Sequence, residues 1–265
     1  LSAGTLDIVR EERVATLVIN RPEKRNALSP EILRQIHATL TKWAGGDDIR
    51  AVVIRGAGEV AFSAGFDLGA LPSEGNRGTD QRPREPHLLE KALKSILTYP
   101  YPVIAFLNGY AFGGGCELAL CCDLRIGVEG LRMGMPPAKL GLVYSAAGLA
   151  RFISTVGLAR TKEIFFTGRY FSDLRAKEMG LVDYLLPRPE AEAFVRETAL
   201  EIAGNAPLSL KGTKKILNML SRAPSLSEED RKEADRLVAA SLRSEDFREA
   251  QKAFLEKRKP DFKGK

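Results

Sequence analysis

Apolar and polar residues alternate over positions 6–10 and 14–19, with the charged run Glu11-Glu12-Arg13 between them. That pattern predicts a β-hairpin. The period then changes. Ile32, Ile36, Leu40 and Trp43 form one helical stripe, with Ser29-Pro30 as its start signal and Gly45-Gly46 as its stop. The apolar runs at 51–54, Val103–Leu107 and Leu124–Val128 read as strands. Leu88, Leu89, Ala92, Leu93, Ile96 and Leu97 predict a second helix, ended by Pro100 and Pro102. Residues 69–87 are polar and rich in Gly, Pro and Arg. They predict a mobile loop, either a lid or a plain surface insertion. From Gly148 onward the pattern is almost wholly helical, with helices expected over 148–157, 159–167, 173–179, 189–203, 207–221, 227–242 and 244–258. The chain therefore divides into an α/β part, residues 1–190, and a C-terminal helical part, residues 191–265.

Two strand ends carry the candidate chemistry. The strand at 103–107 runs into Asn108-Gly109-Tyr110-Ala111-Phe112-Gly113-Gly114-Gly115, and an apolar helix follows with Glu117 in its first turn. Consecutive glycines let backbone N–H groups approach a ligand atom closely. A helix start adds unpaired donors and a positive dipole end. Ala61-Phe62-Ser63-Ala64-Gly65-Phe66-Asp67-Leu68, after the strand at 51–54, has the same character. Two such turns can each give one N–H to a single oxygen that develops negative charge. Either turn alone is as readily a tight packing corner. Glu117 stands among Cys116, Leu118, Ala119 and Leu120. Burial in that company raises a carboxyl pKa and suits a proton donor; a plainer reading is a first-turn acid favoured by the helix dipole.

Phe62 to Leu68, the segment from Asn108 to Ile126, Arg21 to Ser29 and the stretch 166–187 together resemble the crotonase superfamily, the enoyl-CoA hydratases and isomerases. The resemblance covers nearly the whole chain. It implies a spiral of ββα turns with C-terminal helices used for trimer contacts, in a homotrimer or hexamer. It also implies an acyl-CoA thioester as substrate, with CoA present only as part of that substrate, and an enolate held by the backbone N–H groups of Phe66 and Gly114. Glu117 matches the first of the two hydratase glutamates. The position of the second is Pro137, which cannot ionise. Residues implied at the substrate are Lys24, Asn26, Ala27, Leu28, Ala64, Asp67, Leu68 and Pro136, with Phe254 and Lys257 of the last helix near CoA.

Pro137, the following Leu-Gly segment, Tyr144, Leu71-Pro72-Ser73 and the tail from Ser244 to Pro260 are similar to the methylmalonyl-CoA decarboxylases. That narrower resemblance implies a hydroxyl at Tyr144 that holds a departing carboxylate. Its plainer explanation is a core tyrosine with a satisfied hydroxyl. Phe66 departs from the histidine those decarboxylases carry. The alternatives are a hydratase or isomerase working through Glu117 alone, and a CoA- or RNA-binding protein without turnover.

Composition narrows the class. A chain of 265 residues, 44% hydrophobic and 28% charged, fits a globular protein with a substantial core. No apolar run reaches ~18 residues, so no membrane span is expected. The first residues lack the basic and apolar pattern of a signal peptide. Cys116, Cys121 and Cys122 read as buried thiols of a reducing, cytoplasmic setting. Two histidines, His37 and His87, without ligand-like spacing predict no metal site. The net charge of +6 comes with no nucleic-acid-binding motif, and it suits a phosphate-rich small ligand such as CoA.

Overall fold

The computed structural model describes residues 3–67, 88–221 and 228–261. Strands β1 (Thr5–Glu11) and β2 (Val14–Asn20) form the expected antiparallel hairpin. Parallel strands β3 (Ala51–Gly56), β5 (Val103–Leu107), β7 (Leu124–Val128) and β10 (Tyr184–Leu186) extend it into one sheet of order β1-β2-β3-β5-β7-β10. Covered on both faces, β5 is apolar throughout, which is why it reads as a run and not as an alternation.

A second sheet was not legible in the periodicity. Its strands β4 (Ala61–Ser63), β6 (Tyr110–Phe112), β8 (Arg132–Gly134) and β9 (Tyr170–Ser172) have three residues each, too few to show a period. A unit of the fold is a long strand, a short strand and a helix. β3 and β4 precede α2 (Leu88–Thr98), β5 and β6 precede α3 (Gly114–Cys121), and β7 and β8 precede α4 (Ala146–Thr167). This is the ββα spiral that the resemblance implied.

Helix α1 (Pro30–Trp43) begins as predicted. Ser29 Oγ accepts from Ile32 N at 3.2 Å, and Ile32, Leu33, Ile36 and Leu40 are buried. The two helices expected over 148–167 are the halves of α4, broken at Gly157 with φ +80°. Helix α5 (Asp173–Met179) follows the short strand β9.

The expected boundary at 190/191 needs correction. Helix α6 (Arg188–Gly204) crosses it, and its buried Ala191, Val195, Ala199 and Ala203 join the core against the large sheet. The appended helices are α7 (Pro207–Leu220), α8 (Glu228–Ser241) and α9 (Glu245–Leu255). α7 is fastened to the core by Lys214, whose Nζ donates to Asp123 Oδ2 at 2.6 Å and to Tyr101 O at 3.0 Å. α8 and α9 fold back on the 3₁₀ turn Pro137–Leu140 and the segment after it. Val143 N donates to Ser241 Oγ at 3.0 Å, and a Cβ on Gly141 would lie 3.1 Å from Phe247 N. No helix among the described residues is long and apolar enough to cross a membrane. The lid-or-insertion expectation for 69–87, with Leu71-Pro72-Ser73, lies outside the described residues.

Candidate active site

Three hydrogen bonds tie residues 25–28 to the first glycine turn. Ala64 N donates to Arg25 O at 2.9 Å, Leu28 N to Gly65 O at 2.8 Å and Asp67 N to Leu28 O at 3.2 Å. Asn26, at φ +57°, fixes the same region: its Nδ2 donates to Ala57 O and Ala61 O, and its Oδ1 accepts from Arg21 N. Arg21 Nη1 in turn pairs with Asp67 Oδ2 at 2.6 Å. Asn108 does for the second turn what Asn26 does for the first, bonding Gly56 N, Gly56 O and Gly58 O.

The two turns then meet. Gly65 has φ +96°, and a Cβ there would lie 2.6 Å from Phe112 O and 3.0 Å from Gly114 N. A Cβ on Gly114 would lie 3.3 Å from Phe66 N. One on Gly115 would lie 2.5 Å from Ser63 O. Glycine at 65 and 115 allows this approach, which brings Gly114 close to the backbone nitrogen of Phe66 at the start of α3. Two N–H groups so placed can serve one oxygen atom.

Glu117 is 2% exposed on the first turn of α3. The Tyr144 hydroxyl donates to its Oε2, and Arg151 Nη1 donates to its Oε1 at 2.6 Å. Arg151 Nη2 also pairs with Glu90 of α2. Burial pushes the Glu117 carboxyl above its ordinary value, against the pull of Tyr144 and Arg151. Burial likewise raises the Tyr144 hydroxyl, reinforced by the Glu117 charge. Gly148 opens the first turn of α4 to this pair: a Cβ there would lie 2.6 Å from Tyr144 Cδ1 and 3.0 Å from Glu117 Oε1.

Arg151 and Glu90 escaped sequence reasoning. Their signal was a charge inside an apolar helical pattern: Arg151 lies three residues after Gly148 and beside Phe152, on the face of α4 that turns inward.

Other expected positions fare differently. Pro137 is buried and opens the 3₁₀ turn that leads to Tyr144, while Pro136 before it is half-buried. Lys24 and Ala64 are exposed and Ala27 is half-buried, beside the same turn. The Asn26 side chain fastens the loop, because its amide is spent on backbone. The Leu28 side chain is wholly in the core, so it can offer a ligand only main chain. Leu68 lies outside the described residues. Phe254 and Lys257 are exposed, toward the end of α9 opposite to the one packed on Gly141; Lys257 is left-handed at φ +53°. The three cysteines are buried and unpaired, with the Cys116 thiol pushed up to about 12 by burial. Among the described residues no cluster of His, Cys, Asp and Glu could hold a metal ion. His37 lies on α1 near Thr41, and His87 is outside the described residues.

Comparison with known proteins shows what the chain and its fold are similar to. The crystal structure of methylmalonyl-CoA decarboxylase complexed with 2S-carboxypropyl-CoA superposes with a TM-score of 0.89 at 29% identity, over 100% of both chains. The 2,3-dehydroadipyl-CoA hydratase of Escherichia coli is 34% identical over 265 residues, 98% of this chain and 99% of that protein. The short-chain-enoyl-CoA hydratase of Clostridium acetobutylicum is 31% identical over 255 residues, 94% of each. The enoyl-CoA hydratase/isomerase family model matches residues 9–265, a span that holds both glycine turns, Glu117 and the helices folded back on the Pro137 turn; the chain belongs to that family.

Proposed function

We propose that the chain is a lyase that decarboxylates a methylmalonyl-type CoA thioester. The observation that carries this reading is Pro137. It fills the position where a hydratase of the family needs its second carboxylate, and it leaves Glu117 as the buried acid of the site. Hydration divides acid and base work between two groups. Decarboxylation needs no base to begin.

In this reading the N–H groups of Phe66 and Gly114 polarise the thioester carbonyl. The bond from the α-carbon to the carboxylate breaks, carbon dioxide leaves, and the electron pair forms an enolate whose oxygen the two N–H groups hold. A proton then returns to the α-carbon. Glu117, raised by burial, is the group suited to supply it. The Tyr144 hydroxyl has one proton to give and directs it to Glu117. A substrate carboxylate entering there competes with Glu117 for that proton. Phe66, in place of histidine, leaves an apolar side chain beside the acyl group and suits a less polar substituent. The same reading places Phe254 and Lys257 at CoA, with the ammonium near a phosphate, in a homotrimer or a dimer of trimers.

The names of the curated relatives favour a second reading, an enoyl-CoA hydratase or isomerase working through Glu117 alone. One experiment separates the two: a panel of acyl-CoAs with carbon dioxide release and enoyl hydration followed in parallel. The decarboxylase reading expects carbon dioxide from a methylmalonyl-type CoA, with Tyr144→Phe lowering turnover far more than Glu117→Gln, which still lowers it because water makes up the lost proton donor only in part. Hydration without carbon dioxide release, with the order of the two variants reversed, establishes the second reading instead.

A further inference from the structure

Glu117, Arg151 and Glu90 come from three helices, α3, α4 and α2, and meet in one chain of ion pairs. The Arg151 side chain is 13% exposed, and Phe152 beside it is wholly buried. A buried ionic triad is a weak source of stability, because apolar residues of similar volume often serve as well or better. Its geometry is more specific. A guanidinium presents its donors in a rigid plane, so one edge can hold one carboxylate while the other edge holds a second. Nη1 is on Glu117 and Nη2 is on Glu90.

We propose that Arg151 is the positioning residue of the site. Braced by Glu90, its planar fork fixes one oxygen of Glu117 and leaves the other facing the Tyr144 hydroxyl. This rests on the reading above in which Glu117 moves a proton.

A glutamate side chain rotates about three bonds, and the single hydroxyl of Tyr144 leaves that rotation open. Arg151 closes it. Glu90 keeps the guanidinium from swinging wholly onto Glu117, and so sets how much of its charge Glu117 receives. The titratable and charged groups facing Glu117 are Arg151 from α4, Tyr144 from the segment before α4, Glu90 from α2, and Cys116 and Cys121 from α3 itself. Of these, Arg151 carries the positive charge. Glu90 is 39% exposed, so its replacement disturbs packing little.

The test is a carbon-13 NMR titration of the full chain labelled at glutamate carboxyls, with the Glu117 signal assigned by its loss in Glu117→Gln. Arg151→Gln should move the Glu117 midpoint upward by about one to three pH units. Glu90→Gln should move it downward by less, because a like charge is removed. Arg151→Lys keeps the charge without the fork. It should hold the midpoint near that of the unaltered chain while lowering kcat, with little change in KM, on the acyl-CoA that the panel identifies. The opposite shifts from Arg151→Gln and Glu90→Gln read the charges that reach Glu117; a fall in kcat in Arg151→Lys at an unmoved midpoint is what a merely structural arginine does not produce. No shift in either, shifts of the same sign, or an unaltered kcat in Arg151→Lys overturns the proposal. Should Arg151→Gln fail to fold, an unmoved midpoint in Glu90→Gln is enough to overturn it. The titration needs no substrate, so its outcome is independent of whether carbon dioxide is released.

Discussion

A Cβ on Gly148 would sit against the ring of Tyr144, 2.6 Å from its Cδ1, and 3.0 Å from a carboxylate oxygen of Glu117. The ring packs against Phe165, with centroids 5.3 Å apart, so it has little room to retreat. Gly148→Ala should therefore pull Tyr144 off Glu117. Overpacking of this kind costs about 1–3 kcal/mol, and a misplaced reacting group about 100-fold in rate. Melting temperature and kcat measured together check this, and a folded Gly148→Ala protein with unaltered kcat contradicts it. Glu117 itself predicts a pH dependence of stability. Its folded value lies above the ordinary 4.5, chiefly through burial. Its contribution is therefore complete below that ordinary value and is lost as pH rises through the raised one. The stability of the unaltered chain relative to Glu117→Gln should fall as pH rises over that window. A difference that grows with pH in thermal melts refutes the assignment.

At the scale of elements, α7 shows how an appended helix is held. Lys214 is buried on its inner side and reaches Asp123, which also accepts from Val103 N at the head of β5. Breaking a buried pair strands the remaining charge. Asp123 is 30% exposed and water can recover part of that loss. Lys214→Met should thus cost about 1–3 kcal/mol, read from denaturant unfolding, and should loosen α7 before the sheet. Unchanged stability contradicts this. α3 depends on a different device: Gly115 lets it approach Ser63, and that closeness brings Gly114 to Phe66.

At the scale of the whole molecule, the appended helices leave large apolar side chains uncovered. Leu208, Ile216, Leu217, Met219 and Leu220 of α7 are all exposed, as is Phe254 of α9. Large apolar side chains left exposed together on one helix are a frequent mark of a subunit interface. The proposed homotrimer or dimer of trimers would cover them. Light scattering at micromolar concentration should give a mass several times 29.0 kDa, and a monomer there contradicts the proposal.

The sequence alone determined the features that short-range physics controls. The hairpin, the Ser29 cap, the helix break near Gly157 and both glycine turns are written in neighbouring residues, because alternation, capping and positive φ are local properties. Glu117 was legible as a candidate from its apolar neighbours. The small sheet was not, because three-residue strands carry no period. Nor was the packing of α6 on the large sheet, since an amphipathic stripe does not name the surface that covers it. The meeting of Glu117 with Tyr144, Arg151 and Glu90 was decided only by the tertiary structure. These residues lie 27, 34 and 27 positions from Glu117 along the chain, on other elements, and what pairs them is the way three helices converge. A charge on a helix announces that it needs a partner; which partner it finds is settled when burial brings the helices together.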